Sequence, residues 1–80
     1  MKINKKMAAR VARIARMSQT QKDLALCRAS LRGDAEYVRA LLQVGADAHA
    51  DDDYAIRAAT TLGHADVVRE LQVAMEATRG

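Results

Sequence analysis

YAIRAATTLGHADVVREL, residues 54–71, carries apolar side chains at helical spacing on both sides of a Gly-His pair. Read as one helix, the stretch holds an interior glycine that costs about 1 kcal/mol relative to alanine. Read as two helices, Gly63 is the turn between them. Sliding the chain against itself decides the matter. With a shift of 30, LALCRASLRGDAEYVRAL (residues 24–41) lies over residues 54–71 without a gap, and seven of the eighteen columns are identical. These are Ala25/Ala55, Ala29/Ala59, Gly33/Gly63, Ala35/Ala65, Val38/Val68, Arg39/Arg69 and Leu41/Leu71. Leu26/Ile56, Ser30/Thr60, Glu36/Asp66 and Tyr37/Val67 are chemically similar. A match of this density at one fixed shift marks an internal repeat, each copy reading as helix, glycine turn, helix.

The matching positions carry a physical reason. Leu26 and Ile56, with Ala29 and Ala59 three residues on, form a narrow apolar stripe on the first helix of each copy. Gly33 and Gly63 stand where a short helix stops and the chain reverses, a place that favours positive φ. Val38, Leu41 and Leu42, then Val68 and Leu71, supply the inner face of the second helix. Neither copy buries its stripe alone, and stacking the two does so, which is the economy of helical solenoids.

The two units resemble ankyrin repeats. The resemblance rests on A-x-x-x-G at Ala29 to Gly33, on V-R-x-L-L-x-x-G-A-D from Val38 to Asp47, and on A-A-x-x-x-G-H-x-x-V-V-x-x-L from Ala58 to Leu71. The family's T-P-L-H-x-A motif is degenerate here, as LALCRA and YAIRAA, with Cys27 and Arg57 at the histidine position. The period is 30 rather than about 33 residues, which implies a clipped connecting finger between Gly45 and Tyr54. Tyr54-Ala-Ile-Arg at this spacing is similar to the variant frequent in large DNA viruses and phages. The resemblance spans residues 22–74.

Outside the repeat the charge is unevenly placed. Residues 1–22 hold Lys2, Lys5, Lys6, Arg10, Arg13, Arg16 and Lys22 with no acid, whereas residues 23–80 hold six arginines against all ten acids. The net +3 is therefore a basic arm on a mildly acidic body. At 100° per residue Lys2, Lys6, Arg10, Arg13 and Arg16 fall within an arc of about 140°, and Ile3, Met7, Val11 and Ile14 share another. The spacing predicts an amphipathic helix that caps the N-terminal side of the stack with its apolar face. Ser18 to Gln21 and Thr20 to Asp23 are two overlapping capping patterns at which a new helix starts; one uninterrupted helix to Leu31 is the alternative. The expected organisation is thus a basic N-terminal helix over residues 1–19, a first ankyrin-like unit over 20–50, and a second over 51–80 whose last helix continues as a terminal cap. The fold class expected is all-α, a short ankyrin-like helical solenoid of about five helices.

Composition limits the function classes. The chain has 80 residues, no proline, no Phe or Trp, and a palette of Ala, Leu, Val, Ile and Met. A single cysteine, Cys27, excludes an internal disulfide framework. No apolar run reaches the eighteen or so residues of a membrane span, and the N-terminus lacks the apolar core of a secretory signal, so a cytoplasmic protein is expected. The Arg-rich start overlaps with organelle transit peptides, which are Ser-rich as well.

No residue pattern points to catalysis. Asp47-Ala-His49-Ala-Asp51-Asp52-Asp53 superficially resembles a calcium loop, but it lacks the glycine at the sharp turn and has Ala58 where a bidentate glutamate belongs. His64 follows the turn glycine, where the resemblance implies a turn-stabilising role. Cys27 has no histidine beside it and sits in a helix stripe. No metal, no cofactor and no enzymatic activity are expected.

Binding is what remains. The resemblance implies a protein partner held by the fingers and first helices, here Asp47, His49, Asp51, Asp52, Asp53 and Tyr54 with Arg28 and Arg57 on the helices. A chain this small acts by occlusion, bridging or recruitment, and the viral-style repeat suggests a phage or prophage inhibitor of a host defence system. The competing class is nucleic-acid or nucleoprotein binding through Lys2, Lys6, Arg10, Arg13 and Arg16, which would be steeply salt-dependent. No aromatic residue is interleaved with these charges for base stacking. The arm also lacks the Trp or Phe that anchors interfacial helices, so no membrane partner is expected. Val73 and Met75, beyond the repeat, mark an end that could pair with its copy in a homodimer.

Overall fold

The structure is a computed structural model that describes residues 11–77, and among these residues there is no strand. The described part opens with helical residues 11–15 (α1), followed by α2 (Gln19–Arg32), α3 (Ala35–Gln43), α4 (Ala50–Thr61) and α5 (Ala65–Ala77). The all-α expectation holds over the described residues. Helix α1 is not continuous with α2: Ser18 leaves the helical region (φ −66°, ψ 163°), its hydroxyl accepts from the Gln21 amide, and the Gln21 side chain accepts from the Ser18 amide in return. This reciprocal pair satisfies two N–H groups that a helix start leaves without partners.

The two copies turn alike, bond for bond. Gly33 and Gly63 both adopt the left-handed conformation, at φ 77° and 76°. The Asp34 amide donates to the Ala29 carbonyl at 3.0 Å and the His64 amide to Ala59 at 2.8 Å, while Gly33 donates to Ser30 and Gly63 to Thr60. This is the paired 6→1 and 5→2 closure of a helix that ends on glycine. Even the hydroxyls correspond, since Ser30 and Thr60 each donate to the carbonyl four residues earlier at 2.7 Å. Helix α2 pairs with α3 and α4 with α5; the pairs then lie side by side, α2 on α4 and α3 on α5.

Between them runs one core. Leu26, Ala29, Val38, Leu41, Ala55, Ala59, Val67 and Leu71 are all buried. Each large member contributes about 1.5–3 kcal/mol of apolar burial, and the alanines let the helices approach closely. Ile14 of α1 is only 2% exposed and joins this core, with Val11 and Met17 packed beside it, so the described end of the arm does lie apolar face inward. The second unit departs from the expected stripe. Ile56 and Val68 are only half-buried, and Ala55 and Val67 take their places. The reason is position: the second unit has a neighbour on one side only, so the columns that face its open end lose their cover.

The connection between units is tied down by the start of α2. The Gln19 side chain donates to the Gly45 carbonyl at 2.9 Å, Lys22 Nζ donates to the Val44 carbonyl at 2.9 Å, and Asp23 Oδ1 accepts from the Asp47 amide at 2.8 Å. Lys22 thus places a positive charge at the carbonyl end of α3, where the helix dipole favours one. It is a structural residue and not a member of a free basic arm.

Candidate interaction surface

The segment expected to form a clipped connecting finger is a pinned and partly strained turn. Ala46 and Ala48 are buried, the Asp47 carboxylate accepts from the His49 amide at 2.9 Å, and His49 Nδ1 meets Asp53 Oδ1 at 2.5 Å. Asp51, Asp52 and Asp53 follow with φ of 56°, 57° and 61°. An L-residue in this left-handed region costs roughly 1–2 kcal/mol, and Asp is among the few side chains that tolerate it. The regular right-handed part of α4 therefore begins at Tyr54. Of the predicted finger residues, Asp47, His49 and Asp53 are engaged with one another, while Asp51 and Asp52 are exposed.

Beyond that turn, the outward faces of α2 and α4 form a continuous surface of mixed character. Leu24, Arg28 and Leu31 recur at i, i+4 and i+7 on α2, opposite the buried Leu26, Ala29 and Ser30. A groove lies between Leu31 and the exposed side of α4, lined by Tyr54, Arg57, Ala58, Thr61 and Leu62. Leu24 on α2 and Leu62 at the end of α4 are 51% and 52% exposed. Leu24, Leu31, Tyr54 and Leu62 are four of the five large apolar side chains left exposed among the described residues; Val73 is the fifth.

Charge on this surface is mostly positive. Arg28 is exposed and makes no ion pair with a described residue; Arg32 stands 3.9 Å from Asp34; Arg57 reaches Asp52 at 3.7 Å and the Asp52 carbonyl at 3.3 Å. Both members of the Arg57–Asp52 pair are largely exposed, so water screens it and a partner carboxylate could replace it at little cost. On the far side of the molecule Arg39 Nε donates to both Glu70 oxygens, at 2.9 and 3.3 Å, joining α3 to α5. That bond, with the charge of Glu70, raises the guanidinium's pKa further.

Arg57 and Tyr54 of the sequence reading thus line one groove and Arg28 lines another, with Met17, Leu24 and Tyr37, and Leu24, Leu31 and Leu62 were missed. Their spacing was visible, but a second apolar stripe on a short helix reads as additional core. Of the arm, Arg13 and Arg16 are exposed, and neither side chain forms an ion pair with a described residue; Lys2, Lys6 and Arg10 lie outside the described residues. Val73 is exposed whereas Met75 packs partly against the core.

His64 and Cys27 have local explanations. The His64 ring lies over Gly33, and Nε2 donates to the Leu31 carbonyl at 3.1 Å; because a carbonyl only accepts, Nε2 carries the proton. Burial first, and then the charges of Asp51 and Asp23, push the Cys27 thiol above its ordinary range, which keeps it protonated and unreactive at neutral pH. No group of three His, Cys, Asp or Glu side chains among the described residues is placed to hold a metal ion. No helix among them is long and apolar enough to cross a membrane. Comparison of the chain with family models, with curated proteins and with solved structures found no match.

Proposed function

We propose that the chain is an ankyrin-like solenoid of two units that works as a protein-binding module, holding its partner on the outward faces of α2 and α4 and acting by occlusion or bridging. The observation that carries this reading is the groove of Leu31, Tyr54, Arg57, Ala58, Thr61 and Leu62; Arg28 lines a second groove on α2 with Leu24, Arg32 and Tyr37. Exposed Tyr and Arg among apolar side chains are the residue types that dominate binding energy at protein interfaces. Here they sit on helices whose backs are fixed in the core, so little ordering is needed on binding. The pinned turn at residues 47–53 adds Asp51 and Asp52 as acidic rim groups next to Tyr54.

Affinity capture from the native host, followed by mass spectrometry, tests this with two variants beside the wild type. A protein retained by the wild type and by the arm variant R13A/R16A, and lost by the surface variant Y54A/R57A/L62S, supports the proposal. The reverse pattern, together with a gel shift that weakens steeply between two salt concentrations, supports nucleic-acid binding through the arm instead.

A further inference from the structure

The two units share their turns but differ in what covers them. On the first unit the space above Gly33 is filled: a Cβ built there would lie 2.6 Å from His64 Nδ1. The same imidazole donates to the Leu31 carbonyl, and Glu70, six residues further along, holds Arg39 with both carboxylate oxygens. The start of α5 is thus a plug with two polar prongs, an imidazole and a carboxylate, set into the flank of α2 and α3.

On the second unit the equivalent place is open. Thr60, Gly63, Ala65, Val68, Arg69 and Gln72 line a groove, and they stand 30 residues after Ser30, Gly33, Ala35, Val38, Arg39 and Leu42. Apart from Gly63 and its chain neighbours, no described residue lies within 4 Å of a Cβ built on Gly63, and Arg69 forms no ion pair with a described residue. The burial of paired columns changes accordingly. Ser30 and Val38 are fully buried, whereas Thr60 is exposed and Val68 half-buried. The backbone at both turns is the same, so the second unit presents the receiving geometry that the first unit uses.

We propose that this end face of α4 and α5 is a docking surface for a helix–turn–helix unit on another polypeptide, one that sets an imidazole over Gly63, donating to the Thr61 carbonyl, and a carboxylate against Arg69. A second copy of this chain does not fit the description. Its His64 and Glu70 are already engaged with its own first unit, and the equivalent positions of that first unit hold Asp34 and Ala40. Asp34 would bring a carboxylate acceptor to a carbonyl acceptor, and Ala40 offers Arg69 nothing. The residues that line this surface are not those of the α2/α4 groove, and only Thr61 touches both, through its carbonyl here and as part of the lining there, so the inference stands apart from the function proposed above.

The test is an NMR comparison of the 80-residue chain with the same chain extended, through a flexible Gly/Ser linker, by a second copy of residues 44–77. The tether supplies an effective concentration on the order of millimolar. The Gly63 amide and the Arg69 Nε–H are expected to shift while those of Gly33 and Arg39 stay in place. Replacing with alanine, in the appended copy alone, the residues copied from His64 and Glu70 is expected to return Gly63 and Arg69 to their parent positions. Unchanged Gly63 and Arg69 signals would overturn the proposal. So would shifts at Gly33, which mean that the appended copy has displaced the chain's own α5, or equal shifts with the alanine-substituted copy. The same shifts in the unextended chain at high concentration would overturn it too, by making a second copy the occupant.

Discussion

Gly33 and Gly63 offer a matched pair of substitutions in which the backbone cost is common and the packing cost is not. Both sit at nearly the same positive φ, so alanine at either place pays the left-handed penalty of about 1–2 kcal/mol. At Gly63 nothing stands within 4 Å of the new methyl group, and the strain is the whole effect. At Gly33 the methyl would meet the His64 ring at 2.6 Å and 2.8 Å, far inside contact distance. The ring must move, which breaks its bond to the Leu31 carbonyl at the junction of the two units. Overpacking of this kind costs about 1–3 kcal/mol. Gly33→Ala is therefore expected to lose that much more stability than Gly63→Ala, in a protein whose total is about 4–12 kcal/mol at usual per-residue values. Urea unfolding followed by far-ultraviolet circular dichroism measures both. In a His64→Ala background the excess should vanish, because the ring that causes it is gone. Equal costs at the two glycines, or an excess that survives removal of His64, would refute the reasoning.

Three further outcomes are expected. Ile14→Ala should cost about 2–5 kcal/mol in urea unfolding, as for other large-to-small core changes, because Ile14 is buried against the repeat; a cost under about 0.5 kcal/mol, the level of a surface change, would mean that α1 is not docked. Asp52→Gly should raise stability by about 0.5–1 kcal/mol, since glycine occupies φ 57° without strain, and Asp52→Val should lower it. Alkylation of Cys27 should reach its half-maximal rate at a pH above that of a free thiol, and Asp51→Asn should shift the profile downward, since the charge of Asp51 helps to hold the proton on. The sign for stability follows: the folded state keeps the thiol proton, so this contribution is complete below the free-thiol pKa of about 8.5 and is lost as pH rises through the folded value.

The all-helical architecture was legible because its determinants are local. Gly33 and Gly63 mark reversals by their chemistry, and the stripes through Leu26, Ala29, Val38 and Leu41 follow helical spacing. What lay hidden depends on neighbours far along the chain. Ile56 and Val68 match Leu26 and Val38 in sequence, yet they are less buried because no described helix packs on the outer side of the second unit. Lys22 looked like one more cation of the arm until the Val44 carbonyl was found beside it. The aspartates at 51–53 read as part of the finger that meets a partner, and only the backbone reveals that they occupy left-handed conformations. On the proposed binding surface Arg28 and Arg57 came from the resemblance to ankyrin repeats, whereas Leu24, Leu31 and Leu62 required knowledge of which face of each helix the core had taken.

Site-specific photo-crosslinking in the native host tests the proposed role most directly. A benzophenone amino acid is placed in turn at Leu62, in the α2/α4 groove, and at Arg13, on the exposed side of the arm. The account predicts a discrete protein adduct from position 62 and no nucleic-acid adduct from position 13. Nucleic acid trapped at position 13, with nothing trapped at position 62, would contradict it.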